Sequence, residues 1–147
     1  MSCDGAEVFG ELSAPAPRRA LVVFSGDVDL KWLRVLRPGY RHCFVVVHSG
    51  DAWVLYNPLS NGTELNVWPV QPEQCIRDWL LCQGYKVVEV SVRPFVPKAL
   101  GWAPFSCVEA VKRVLGLRAA WVFTPWQLHQ YLEKQLFGIK SLTVRDV

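Results

Sequence analysis

The chain has 147 residues, 51% of them hydrophobic and 20% charged, with a formal charge of +3; that length suits one domain with a real core. The positive balance is mild, and Lys and Arg never run longer than a pair such as Arg18-Arg19, which argues against a nucleic-acid-binding surface. Five cysteines, an odd number without regular spacing, argue against a disulfide framework and predict reduced thiols, while no apolar run nears the ~20 residues of a membrane span.

Residues 1–19 start without the basic and apolar regions of a secretory signal and end in Ala14-Pro15-Ala16-Pro17-Arg18-Arg19, a lead-in unable to build helix or central strand. A soluble protein made in a cytoplasm is the expectation, with virion or cell envelope as later destinations. A single domain is predicted over 20–140, and a short tail over 141–147. Ala20 to Phe24 is an apolar run closed by Ser25-Gly26-Asp27, the pattern of a buried strand and a turn. Val28 to Leu36 reads as a short helix or loose turn before Pro38-Gly39.

Two strand-like runs follow, His42 to His48 and Trp53 to Asn57, around a Gly50-Asp51 centre, which predicts a hairpin. If Gly50 and Asp51 are the two loop residues, Phe44 lies opposite Asn57. His42 and Asn57 then share a face as diagonal neighbours, about 7 Å apart at the backbone. A three-residue loop would slip the register by one and put Asn57 on the wrong face.

Thr63 to Val67 is a further strand closed by Trp68-Pro69. Pro72 to Gln83 is an amphipathic helix with Cys75, Ile76, Trp79, Leu80 and Cys82 spaced for one face, and Tyr85 to Val92 is a strand. Arg93 to Pro104, with three prolines and Trp102, is a long ordered loop. It delivers the chain to Ser106-Cys107-Val108-Glu109, where Ser106 can cap a helix, Glu109 can complete the capping box, and Gly116 can take the left-handed position past its end. Positions 107, 110, 111, 114 and 115 form the apolar stripe, with Glu109, Lys112 and Arg113 pointing away. A last helix opens at Thr124-Pro125 with Trp126, Leu128, Tyr131, Leu132 and Leu136 as its apolar positions, and Ile139 to Val147 is a short strand or frayed tail.

Cys107 is thus the first residue of a helix, where unpaired N–H groups and the helix dipole favour a thiolate. Cys107, His42 and Asn57 supply a nucleophile, a base and a group to orient the base. An inert Cys on an apolar stripe is the competing reading of the same spacing. His48 lies about 20 Å along the strand from His42 and reads as a surface histidine; His129 reads as exposed. Tyr40 and Trp102 could line the cleft, but such residues more often pack, and packing is the expectation for both. Cys75 and Cys82, seven apart, lack zinc-ligand spacing, no Gly-rich phosphate loop is present, and no paired carboxylates stand out. The pattern therefore implies neither a metal nor another cofactor.

The order of Ser25-Gly26-Asp27 after a strand, His42 opening a hairpin strand, Asn57 on its partner and Cys107 heading a later helix resembles the permuted papain-like NlpC/P60 superfamily. The resemblance spans roughly Val22 to Leu115. It implies an α+β fold, an antiparallel sheet or small open barrel packed against helices with a circularly permuted papain-like connection. It also implies a cysteine hydrolase, an amidase or peptidase, acting through an acyl-thioester on an amide- or ester-containing substrate such as a peptide, peptidoglycan or lipid. The alternative is a non-catalytic module of the same fold, with an assembly partner in a phage particle or larger secreted machine. A third reading, nucleic-acid binding through Arg34, Arg37, Arg41, Lys112, Arg113 and Arg118, is disfavoured by the scatter of those charges among acidic residues.

Overall fold

The computed structural model describes residues 18–27, 34–69, 72–94 and 105–143. The expectations for residues 28–33, for Trp102, for most of the loop before Cys107 and for both chain ends lie outside these residues.

Five strands form one antiparallel sheet in the order β4-β3-β2-β1-β5: β1 (Arg19–Ser25), β2 (His42–Ser49), β3 (Ala52–Pro58), β4 (Thr63–Pro69) and β5 (Lys86–Ser91). Three helices complete an α+β architecture: α1 (Glu73–Cys82), α2 (Cys107–Val114) and α3 (Pro125–Thr143). The sheet is open, with β4 and β5 at its edges.

β1 is apolar at every inner position because it sits between β2 and β5 with both faces covered. Ala20, Val22 and Phe24 join Cys43, Val45 and Val88 against Val108, Val111 and Leu115 of the α2 segment and Leu128 and Leu132 of α3. Leu21 and Val23 join Phe44, Val46, Trp53 and Leu55 against Ile76 and Leu80 of α1. Each Val, Leu, Ile or Phe side chain so buried is worth about 1.5–3 kcal/mol, and the period-2 alternation assigns it to one face or the other.

On α1 only Ile76 and Leu80 are buried; Cys75, Trp79 and Cys82 are exposed, so the expected five-residue face is narrower than predicted. One helix packed on a sheet buries only its central stripe, and Trp79 instead lies edge-on to Trp68 beyond it. Helix α3 runs through Thr143, past the strand or frayed tail expected from Ile139 and past the predicted domain end at 140. The helix continues through Gly138, and no Pro follows to stop it. No described helix is long and apolar enough to cross a membrane.

Candidate active site

The β2–β3 hairpin determines which side chains can meet. Val45 pairs with Tyr56, Val46 with Leu55 and Ser49 with Ala52, the register in which Gly50 and Asp51 are the loop. Gly50 has φ +58° while no described non-glycine residue has positive φ, the pattern of a type II′ turn with glycine at its first central position. In this register His42 and Asn57 lie on one face, and His42 Nε2 is 2.7 Å from Asn57 Oδ1.

The orientation of that amide is set from β4. Asn57 pairs with Glu64 across the ladder, and Asn57 Nδ2 donates to Glu64 Oε2 at 3.0 Å while Asn66 Nδ2 donates to Glu64 Oε1 at 2.7 Å. A carboxylate accepts only, so the NH2 end of Asn57 is held toward Glu64 and its oxygen toward the imidazole. The oxygen in turn requires Nε2 to carry the ring proton, which makes Nδ1 the atom that exchanges a proton with a nucleophile. Glu64 was missed in the sequence. The Leu59-Ser60-Asn61-Gly62 turn was its available signal, since closing β3 onto β4 there puts residue 64 opposite residue 57.

Cys107 reaches this group from the other side, at the start of α2. Ser106 is the N-cap, with extended backbone (φ −138°, ψ 166°) and its hydroxyl accepting from the Glu109 N–H at 3.2 Å. The capping box is only half made, because the Glu109 carboxylate is taken by Lys112 (2.9 Å) and Arg113 (3.1 Å). At the far end Gly116 has φ +65°, and a Cβ there would fall 2.9 Å from the Arg93 carbonyl oxygen. The short helix is thus anchored at both ends.

The Cys107 thiol is pulled down to about 4. The largest cause is a hydrogen bond from the Cys43 side chain; burial opposes it, and the hydrogen bond and charge of His42 and the Cys43 backbone N–H add to the lowering. The same contact acts in reverse on Cys43, which is wholly buried: burial first, then the neighbouring thiolate, raise its pKa so that it stays a protonated donor. His42 and Cys43 belong to opposite faces of β2, yet both meet Cys107, because they open the strand where α2 closes over its end.

The pair borders an open cleft of about 660 Å³, walled by Leu36, Arg41, Leu59, Phe105, Phe123 and Pro125 among others. Phe105 and Phe123 are largely exposed. The Cys107 N–H, as the first amide of α2, has no acceptor within the helix. Together these parts can hold a thiolate, move a proton through one imidazole and stabilise negative charge on a carbonyl oxygen.

Other sequence expectations turn out differently. Lys112 and Glu109 do not point away: Lys112 is 6% exposed, and its ammonium donates to Ala119 O (3.0 Å) and Val122 O (3.1 Å) beside its ion pair with Glu109. Helix α2 is covered by the sheet and also by the 117–123 segment, so it buries more than one stripe. That segment leads to Phe123 and Pro125 of the cleft wall.

His129 is not exposed either. Burial chiefly keeps its pKa low, and it packs between Phe24, Tyr40 and Trp126, being four residues after Pro125 and three before Leu132 on the inner stripe. Tyr40 packs in this aromatic cluster, the role favoured for it, and His48 is half-buried against Trp53. Among the described residues no group of three His, Cys, Asp or Glu side chains could hold a metal ion.

No family model, curated protein or solved structure matches the chain. The functional reading therefore stands on geometry and chemistry.

Proposed function

We propose that the protein is a cysteine hydrolase of the permuted papain-like, NlpC/P60 kind, cleaving an amide or ester through an acyl-thioester on Cys107. The observation that carries this reading is the 2.7 Å bond between His42 and Asn57, with the same imidazole bonded to the lowered Cys107 thiol at the edge of an open cleft. Burial alone raises the pKa of a cysteine, and at Cys107 the bonds from Cys43 and His42 outweigh it.

The Cys107 sulfur attacks the acyl carbon and the carbonyl π electrons move to oxygen, which the Cys107 N–H receives. As the tetrahedral species collapses, the bond to the leaving amine or alcohol breaks and the His42 imidazolium gives that group its proton. Water then attacks the thioester while His42 takes one of its protons. Expulsion of the thiolate releases the acid and restores the starting state. Asn57, held by Glu64, keeps the ring in the one tautomer that serves both steps.

The test is acylation by an activated ester, p-nitrophenyl acetate, followed by peptide mass mapping. The expected result is a burst stoichiometric with protein and one acetyl group on Cys107. Acetylation of the exposed Cys75 or Cys82 at an equal rate, or no burst, would overturn the proposal and favour a non-catalytic assembly module.

A further inference from the structure

We propose that the cleft selects substrates bearing a carboxylate near the scissile acyl group, and that Arg41 is the residue that binds it. This rests on the hydrolase reading and adds a substrate class to it.

Arg41 immediately precedes His42 and lines the same cleft. Its backbone is fixed to the end of β1 by the Arg41 N–H to Ser25 O bond of 2.9 Å. Its guanidinium, by contrast, is under-used. Nε is buried without a hydrogen-bond partner, and Nη2 makes only a long 3.4 Å contact with the Arg34 carbonyl.

Several other cations have partners of their own. Arg19 pairs with Glu73 and Glu89, Arg113 and Lys112 pair with Glu109, and Arg93 donates to Gln135. Among the described residues Arg41 has no ion pair.

A buried guanidinium nitrogen left unpaired is costly, and a native fold keeps one where something else completes it. The cleft around it holds no Asp or Glu among its described lining residues, and its Cys107 thiol is already bonded to Cys43 and His42; Arg41 and the imidazole of His42 are its basic groups, and most of the rest is apolar. The chain from 34 to 41 contains no acidic residue. The group that fits is an anion with two acceptor oxygens in a plane, which a guanidinium takes in a forked pair of bonds. A carboxylate meets that need, as an acidic side chain or as a chain terminus.

Thiol-reactive probes test this without a known substrate. Iodoacetyl-glycine carries a terminal carboxylate and iodoacetyl-aspartate amide a side-chain carboxylate; iodoacetyl-glycinamide and iodoacetyl-asparagine amide are their neutral counterparts. Alkylation rates at Cys107 are measured at pH 6 and each anionic-to-neutral ratio is divided by the ratio for N-acetylcysteine, which removes intrinsic reactivity. In the wild type the normalised ratio is expected to exceed one for at least one pair, and Arg41→Gln to lower it by about tenfold. Arg41→Lys, which keeps the charge and loses the fork, falls between them and serves if the Gln variant does not fold.

Preference confined to one pair identifies the source of the carboxylate. Equal ratios in the wild type and both variants, with Cys107 still reacting fast, overturn the Arg41 proposal alone. If Cys107 reacts no faster than N-acetylcysteine with any of the four probes, the hydrolase reading fails and the substrate class fails with it.

Discussion

The two faces of the sheet are built from the same kind of strand residue and serve different ends. The α1 face is wholly apolar at its centre, with Leu21, Val23, Phe44, Val46, Trp53, Leu55, Ile76 and Leu80 packed together. The face under α2 and α3 has a comparable apolar centre but also takes in Cys43, Cys107, His129 and Lys112. Polar groups are tolerated inside a protein only when their bonds are made, and here most are: Lys112 has three acceptors and Cys107 has donors from Cys43 and His42. The α1 face therefore supplies cohesion at its centre, while the reactive groups gather at the end of β2, where Cys43 and Cys107 of the other face meet His42. Removing side chains from each face should separate stability from chemistry.

The largest effect is expected at His42. His42→Ala should lower turnover of an activated ester by about 10³-fold or more, since it removes proton transfer in both half-reactions, while thermal melting changes little. The pH profile sharpens the assignment. With Cys107 near 4, the reactive thiolate persists above that pH and is lost as pH falls through it, so alkylation by iodoacetamide should keep a plateau down to about pH 5.

At pH 5 an ordinary thiol of pKa about 8.5 is ionised about three times in ten thousand, a disadvantage of roughly 3000-fold. The weaker nucleophilicity of a low-pKa thiolate returns about 100-fold of that, leaving a net advantage for Cys107 of about 30-fold. Cys43→Ala should move the acid limb upward, because the Cys43 hydrogen bond is the largest single cause of the lowering. An unmoved limb in Cys43→Ala would remove Cys43 from the site.

At the centre of the α1 face, away from the strand end that carries His42, Trp53→Ala, at a side chain 1% exposed, should cost about 3–5 kcal/mol in urea unfolding. The alkylation rate of Cys107 in the folded protein should hardly change. A large fall in that rate would mean that the faces are not separable. Lys112→Met is intermediate in size and in kind. It leaves the Ala119 and Val122 carbonyls and Glu109 without their donor, a loss of about 2–4 kcal/mol, and it frees the segment that carries Phe123 to the cleft wall. Melting and the KM for an ester should both respond.

How much of this was legible follows from how each contact is specified. The His42–Asn57 pair was readable because a two-residue turn at Gly50-Asp51 fixes a whole ladder, and side-chain alternation then assigns the faces. The cap on Cys107 was readable because Ser106 and Gly116 act on their own neighbours in the chain. Lys112 was misread because helical periodicity describes one covering surface, and α2 has two. His129 was misread by treating its helix's apolar residues as the whole buried stripe, when Pro125, Leu128 and Leu132 already place it inside. The Cys43–Cys107 contact was not readable at all. It depends on where a helix docks over a strand end, and no local pattern records that.

Glu64 lies on exposed β4, at the edge of the sheet rather than within either core, and so tests whether the chemistry extends beyond the covered face. Its carboxylate touches neither the thiol nor the cleft wall described above; it acts through Asn57, and is a positioning residue. Glu64→Ala frees the Asn57 amide to turn, so that part of the population presents Nδ2 to the imidazole and holds the ring in the wrong tautomer. The loss should match one hydrogen bond, about 1 kcal/mol, or about fivefold in kcat, with KM unchanged because no substrate contact is touched. Glu64→Gln should recover part of it, since a Gln oxygen still accepts from Asn57 but must be shared with Asn66. The acid limb of alkylation at Cys107 should stay in place in both variants, as Glu64 is not among the groups that set it. A structural role alone would lower melting and leave the kcat of the folded enzyme intact, so an unchanged kcat in Glu64→Ala would confine the reactive assembly to the covered face and its seam.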